Sequence, residues 1–265
     1  MPDTASSSTL RLRKAMDAAK AALDRIPGAG GQESVMDDIR SASSGLPTLD
    51  NLTSLTFSHV QYTDDGLFSK IMAYTTLSPL WIICAYGGII LNGRDIKVAL
   101  MLAGQLLNEL LNLVLKRLVR QSRPTGFLGD GYGMPSSHAQ FMAYFATYVV
   151  ILMYRREVTP GSILPHIFAI GSVVWAALVI YSRVHLYYHT WLQVGVGAIC
   201  GVAFALVYYW VIHSILRSSG LFEWLLDQPL VRRLHVRDTE TINDVAKYEW
   251  EMWQEFRRSR HGKKD

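Results

Sequence analysis

The sequence predicts an all-α protein, a polytopic membrane bundle of about five transmembrane helices, with four as the alternative count. Half of its 265 residues are hydrophobic and 18% are charged, giving a mean hydropathy of +0.15. The apolar residues fall in blocks, and several approach the roughly 20 residues that a helix needs to cross a bilayer. Polar residues gather at the borders of these blocks, between positions 116 and 193, and that is where function is expected.

Composition excludes several classes. The net charge is +4, and the basic residues sit in short loops, in the polar stretch and in the tail. They form no stripe of the kind that tracks a phosphate backbone, so nucleic acid is not an expected partner. Cys84 and Cys200 lie inside apolar blocks and carry no implication for disulfides. No zinc-type Cys/His spacing is present.

Taken in order, residues 1–70 read as a polar, mostly disordered segment with a short helix around Leu10 to Ile26. No apolar core follows the N-terminal charges, so a cleaved signal peptide is not expected. Asn51-Leu52-Thr53 matches the acceptor pattern for N-glycosylation. The membrane domain, 71–216, opens with a helix over about Leu77 to Leu91, with Pro79 at its entry and Asn92-Gly93 as its stop. If this helix is only re-entrant or interfacial, the count falls to four.

The second helix, Ile96 to Leu115, carries Gln105, Asn108, Glu109 and Asn112 among leucines. Glu109, Asn112 and Lys116 follow spacings of three and four, so they share one face. That face is expected to turn inward, with its polar groups hydrogen-bonded between helices. Further helices are predicted from His138 to Tyr154, Ile163 to Tyr181 and Trp191 to Ile215. In the tail, 217–265, Val245, Met252, Trp253 and Phe256 recur at helical spacing before a basic run. This amphipathic helix either lies at the membrane interface or packs on the protein's own loops.

Three polar groups stand out in the membrane domain. They are Lys116 with Arg123-Pro124, then Pro135-Ser136-Ser137-His138, then Ser182-Arg183 followed by His189 and Gln193. Alternating helices bring all of them to one membrane face. Three fixed cations there suit a phosphate, for which Lys and Arg supply permanent charge and N–H donors. Ser136 and Ser137, just before a helix start, add hydroxyl and backbone donors. Histidine can serve as nucleophile, acid or base near neutrality. His189 is the better nucleophile, because Gln193 lies one helical turn on and can orient its ring; His138 is the better general acid and base. The cations can carry the equatorial charge, so no metal and no cofactor is expected.

These three groups resemble the signature of the type 2 phosphatidic acid phosphatase superfamily, over roughly residues 70 to 215. The resemblance implies a metal-independent phosphatase on a helical bundle, with Lys116, Arg123, Ser136, Ser137 and Arg183 binding phosphate. It also implies that His138 is the acid and His189 the nucleophile. Two positions depart from the superfamily pattern: Ser137 stands in place of the usual Gly and Gln193 in place of the usual Asp. Both departures, with Gly133-Met134 and Tyr188-His189-Thr190-Trp191, resemble the dolichyldiphosphatase branch.

That branch implies hydrolysis of dolichyl diphosphate to the monophosphate in the endoplasmic reticulum, recycling the lipid carrier of N-glycosylation. The expected partners are a polyprenyl diphosphate and the lipid bilayer, with no obligate protein partner. Rival readings are a broader lipid phosphate phosphatase and a non-catalytic anionic-lipid-binding protein. The second histidine argues against mere binding, which needs cations and no nucleophile. Arg94, Lys97, Arg155, Arg156 and Arg217 fall on the face opposite the site, which makes that face cytoplasmic and the site lumenal. Tyr187, Tyr188 and Trp191 read as an interfacial aromatic belt, and His185 as a hydrogen-bonded structural residue.

Overall fold

In the computed structural model, the described residues are 52–54, 60–63, 66–125, 128, 131–155, 163–240, 242 and 244–261. The expectations for residues 1–50, for the Asn51 acceptor and for Arg156 lie outside them. Two short strands, β1 (Leu52–Ser54) and β2 (Gln61–Thr63), pair antiparallel, with Thr53 opposite Tyr62. Among the described residues the elements that follow are helices: α1 (Leu67–Thr75), α2 (Ser78–Gly93), α3 (Ile96–Val119), α4 (Ser137–Arg155), α5 (Leu164–His185) and α6 (Trp191–Trp210). A π-helical turn, Val211–Leu216, extends α6.

The first apolar segment begins at Leu67, upstream of the predicted Leu77, because α1 and α2 follow one another across a two-residue break. Pro79 lies in the first turn of α2, where its missing N–H breaks no helical bond. Together α1 and α2 give a 27-residue candidate span, Leu67–Gly93. Ordered structure therefore starts before residue 71: Tyr62 of β2 and Met72 and Ala73 of α1 pack with Leu186 and Tyr188.

Among the described residues, four segments are long and apolar enough to cross a membrane: Leu67–Gly93, α3, α5 and Trp191–Leu216. Their outward faces are apolar, as Leu106, Leu110 and Leu113 on α3 and Ile199 and Leu206 on α6 show. The predicted helix from His138 to Tyr154 is α4, the central one, and it is the one of the five that this count leaves out; the first segment is among the four. Helix α4 packs most extensively on α6 and α5, and then on α3. A helix sheathed by other helices needs less apolar surface than one facing lipid. Gly197 and Gly201 let α6 approach it closely; a Cβ on Gly201 would sit 2.3 Å from the Gln140 carbonyl oxygen.

The amides of α3 turn inward as predicted while Glu109 and Lys116 are only half-buried, and the structure supplies a partner for Asn108 and Asn112, Gln140 of α4. Asn112 Nδ2 donates to Gln140 Oε1 (2.8 Å), and Gln140 Nε2 donates to Asn108 Oδ1 (2.9 Å). Gln105, Asn108, Asn112 and Gln140 are all fully buried, so this seam replaces water for groups that hydrocarbon could not satisfy.

At the other end of the bundle, residues 237–240 strap the helix ends together. Arg237 N donates to Arg94 O (2.9 Å), Thr239 Oγ1 bonds Asp95, and Arg217 pairs with Asp238 at 2.7 Å. Three tail helices belong to this region of sequence: α7 (Leu221–Leu226), α8 (Pro229–Arg233) and α9 (Val245–His261). Met252, Trp253 and Phe256 of α9 remain exposed, and among the described residues no loop covers them.

Candidate active site

Helix ends build the site. Lys116 lies in the last turn of α3, which stops where Arg120 takes a left-handed conformation (φ 51°). The following loop carries Arg123 and is stitched at several points. Gly133 N donates to Gln121 O (2.7 Å), Thr125 Oγ1 donates to Tyr187 O (2.9 Å), and Ser136 N donates to Gln193 O (3.1 Å). Ser137 and His138 then open α4. Arg183 sits in the last turn of α5, and the chain doubles back so that the backbone N–H groups of Tyr188 and His189 both reach Arg183 O at 3.1 Å. Thr190 caps α6 in a reciprocal box with Gln193.

These turns bring the predicted residues together. His138 feels the charges of Arg183, His189, Lys116 and Arg123, and His189 feels those of Arg183, Arg123 and Lys116. Arg183 is buried and donates from Nη1 to Thr76 Oγ1 (2.7 Å), while its guanidinium lies 4.0 Å from the Tyr188 ring centroid. Its Nε and the Ser136 hydroxyl are buried with no hydrogen-bond partner among the described residues. Donors left in this state are poised for an anion.

The nucleophile candidate is held by one side chain. Gln193 Oε1 lies 3.2 Å from His189 Nδ1 and accepts from Thr190 N at 3.3 Å. Gln193 Nε2 donates to Ser122 O (2.8 Å) and to Gln121 Oε1 (3.2 Å). A backbone N–H on one end and a backbone carbonyl on the other permit only one orientation of this amide. Its oxygen therefore faces His189, Nδ1 carries the proton, and the lone pair rests on Nε2. Burial, followed by the nearby Arg183 and Arg123 charges, holds the His189 imidazole down to about 3. It is a neutral base in the free protein.

Sequence reasoning missed several supports of this site. Thr76 and the Gln121-Ser122 pair carry no motif. Tyr188 is no belt residue: it is buried, stacks on Arg183, and its hydroxyl accepts from Gln61 N and donates to Gln61 O. His185 is structural as predicted, with Nε2 3.2 Å from Ser69 Oγ.

A helical bundle with a phosphate-type cradle at the helix ends defines a membrane phosphohydrolase, and residues 97–217 match the PAP2 superfamily. A transmembrane PAP2-type phosphatidylglycerolphosphate phosphatase from Bacillus subtilis is similar in fold, with a TM-score of 0.50 and 20% identity over 74% of this chain and 91% of that one. Dolichyldiphosphatase 1 of Dictyostelium discoideum is 37% identical over 205 residues, covering 75% of this chain and 89% of that protein. Dolichyldiphosphatase 1 of Mus musculus is 32% identical over 219 residues, covering 79% and 91%. The chain belongs to the dolichyldiphosphatase family.

Proposed function

We propose that this protein hydrolyses dolichyl diphosphate to dolichyl phosphate and inorganic phosphate through a phosphohistidine on His189. The observation that carries this reading is the fixed Gln193 amide, which leaves the Nε2 lone pair of His189 available among three cations. Lys116, Arg123 and Arg183 bind the terminal phosphate with the Ser136 and Ser137 donors. Nε2 attacks the terminal phosphorus as the bond to the bridging oxygen breaks. His138 protonates a leaving oxygen that needs it, then takes a proton from the water that opens the phosphohistidine. The fixed cations balance the charge that spreads onto the equatorial oxygens.

The names of the relatives favour the endoplasmic reticulum membrane and recycling of the N-glycosylation carrier. A lumenal site is favoured by the basic residues at the opposite end, where Arg94, Lys97 and Arg217 are gathered by residues 238–240 and Arg237. The test is phosphate release by purified protein in detergent with EDTA present, comparing dolichyl diphosphate, dolichyl monophosphate and phosphatidate. Preference for the diphosphate supports the proposal. Preference for phosphatidate keeps the chemistry and removes the substrate assignment, and no release from any of them defeats both.

A further inference from the structure

The surroundings of Gln193 bear on which phosphates the site can cleave. Gln193 and His189 are 1% and 3% exposed, so water does not solvate either group. The strongest charges acting on His189 are those of Arg183, Arg123 and Lys116, all positive. The amide nitrogen of Gln193 meets two oxygens, Ser122 O and Gln121 Oε1, so this pocket is built for an N–H donor at that point. A neutral orienter beside a nucleophile ringed by cations has a chemical consequence.

When Nε2 forms its bond to phosphorus, Nδ1 keeps its proton and the ring becomes a phosphoimidazolium. Its positive charge then lies among three others, and the Gln193 carbonyl answers it with a dipole only. This intermediate is therefore high in energy, and the bond being broken must compensate. In a diphosphate the P–O bond breaks toward a phosphate oxygen, whose electron pair stays on a group with a second pKa of about 6, so no proton is needed. In a monoester the pair would go to an alkoxide, which needs a proton from His138 in the same step. The poorer leaving group also demands more ring charge at the transition state. Water then attacks the phosphorus, the N–P bond returns its pair to Nε2, and inorganic phosphate departs.

We propose that Gln193 is a specificity-determining positioning residue, its neutral amide confining the site to phosphoanhydrides and excluding alkyl phosphomonoesters. The proposal rests on His189 being the nucleophile. Gln193→Glu keeps the length of the side chain and adds the missing charge. It loses the donor to Ser122 O, while the Gln121 amide can turn to donate to the new carboxylate.

The experiment uses full-length protein in detergent with a polyprenyl diphosphate and the monophosphate of the same tail. In Gln193→Glu the ratio of kcat/KM values, diphosphate over monophosphate, is expected to fall at least tenfold, whatever happens to either activity alone. Loss of both activities by one factor marks a structural role and overturns the proposal. A second readout needs no variant: wild-type rates on monoesters should fall steeply as the leaving-group pKa rises, from aryl to alkyl. Alkyl monophosphate turned over as fast as the diphosphate also overturns it. Acid-labile, base-stable phosphorylation that disappears in His189→Asn separates the two layers. Its absence sinks the nucleophile and the proposal together, whereas its presence with an unchanged ratio sinks the proposal alone.

Discussion

The guanidinium of Arg183 lies 4.0 Å from the ring of Tyr188, and the Tyr188 hydroxyl is joined to the backbone of Gln61 at 2.9 and 3.1 Å. A residue proposed to bind phosphate is thus anchored, through one aromatic ring, to a strand that precedes the first membrane helix. The two halves of this link can be separated by mutation. Tyr188→Phe keeps the ring and drops hydrogen bonds worth about 1 kcal/mol, so KM should rise a few-fold. Tyr188→Leu also removes the cation–π contact, worth about 0.5–2 kcal/mol, and should raise KM about tenfold or more. Steady-state kinetics on the diphosphate measures both; equal effects would mean that the ring contributes nothing.

His189→Ala should abolish turnover and any phosphoenzyme. Arg183→Lys keeps a charge but loses the planar fork and the Tyr188 stack, and should lower kcat/KM by about 100-fold. Rapid-quench assays check both. Appreciable turnover by His189→Ala would remove it as nucleophile.

The pH behaviour of His189 follows from its surroundings. Burial, then Arg183 and Arg123, hold the folded-state value at about 3, below the ordinary 6.5. In the free protein the ring therefore stays neutral on passing down through pH 6.5, and kcat/KM should show no acid limb there from this residue. Removing a neighbouring cation, as in Arg123→Gln, should move the value upward. Stability runs the same way: the contribution of neutral His189 is complete above about 6.5 and is lost as pH falls toward 3, because the unfolded chain binds the proton first. Titration of ¹⁵N-labelled histidine by NMR tests this, and a His189 midpoint near 6.5 would contradict it.

Three glycines separate packing from propensity. A Cβ at Gly201 would lie 2.3 Å from Gln140 O, and one at Gly197 would lie 2.6 Å from Ser136 O. Neither backbone oxygen can swing aside, so each Gly→Ala change should push α6 off α4 at a cost of about 1–3 kcal/mol. Gly171 on α5 has nothing within 4 Å, and Gly171→Ala should leave the melting temperature unchanged or higher. Thermal unfolding in detergent distinguishes the cases. Gly197→Ala should also lose activity, since Ser136 moves with it.

The bundle was legible because long apolar blocks have few ways to hide their backbone in lipid, and the stops at Asn92-Gly93 are local chemistry. The clustering of the cations and both histidines was legible because the alternation of helices restricts place; their roles remain the proposal made above. The supports were not. Thr76, Ser122 and Gln140 act through contacts made across 107, 71 and 32 residues of chain, and no local pattern encodes a partner that distant. The early start of the first segment was hidden for a related reason: Lys70 and Thr75 interrupt its apolar run, yet Thr75 bonds back to Ile71 O at 2.9 Å within the helix.

The seam between α3 and α4 bears on how the chain enters the bilayer during synthesis. Gln140 has its donors satisfied only by Asn108, and its acceptor only by Asn112, among the described residues. Delivered alone to hydrocarbon, either helix would expose these amides to a medium with nothing to offer them. Partnered, the same groups become a register lock that permits one alignment of the two helices. Helices α3 and α4 are thus expected to enter the bilayer as a pair, and the loop between them is the one that carries Arg123.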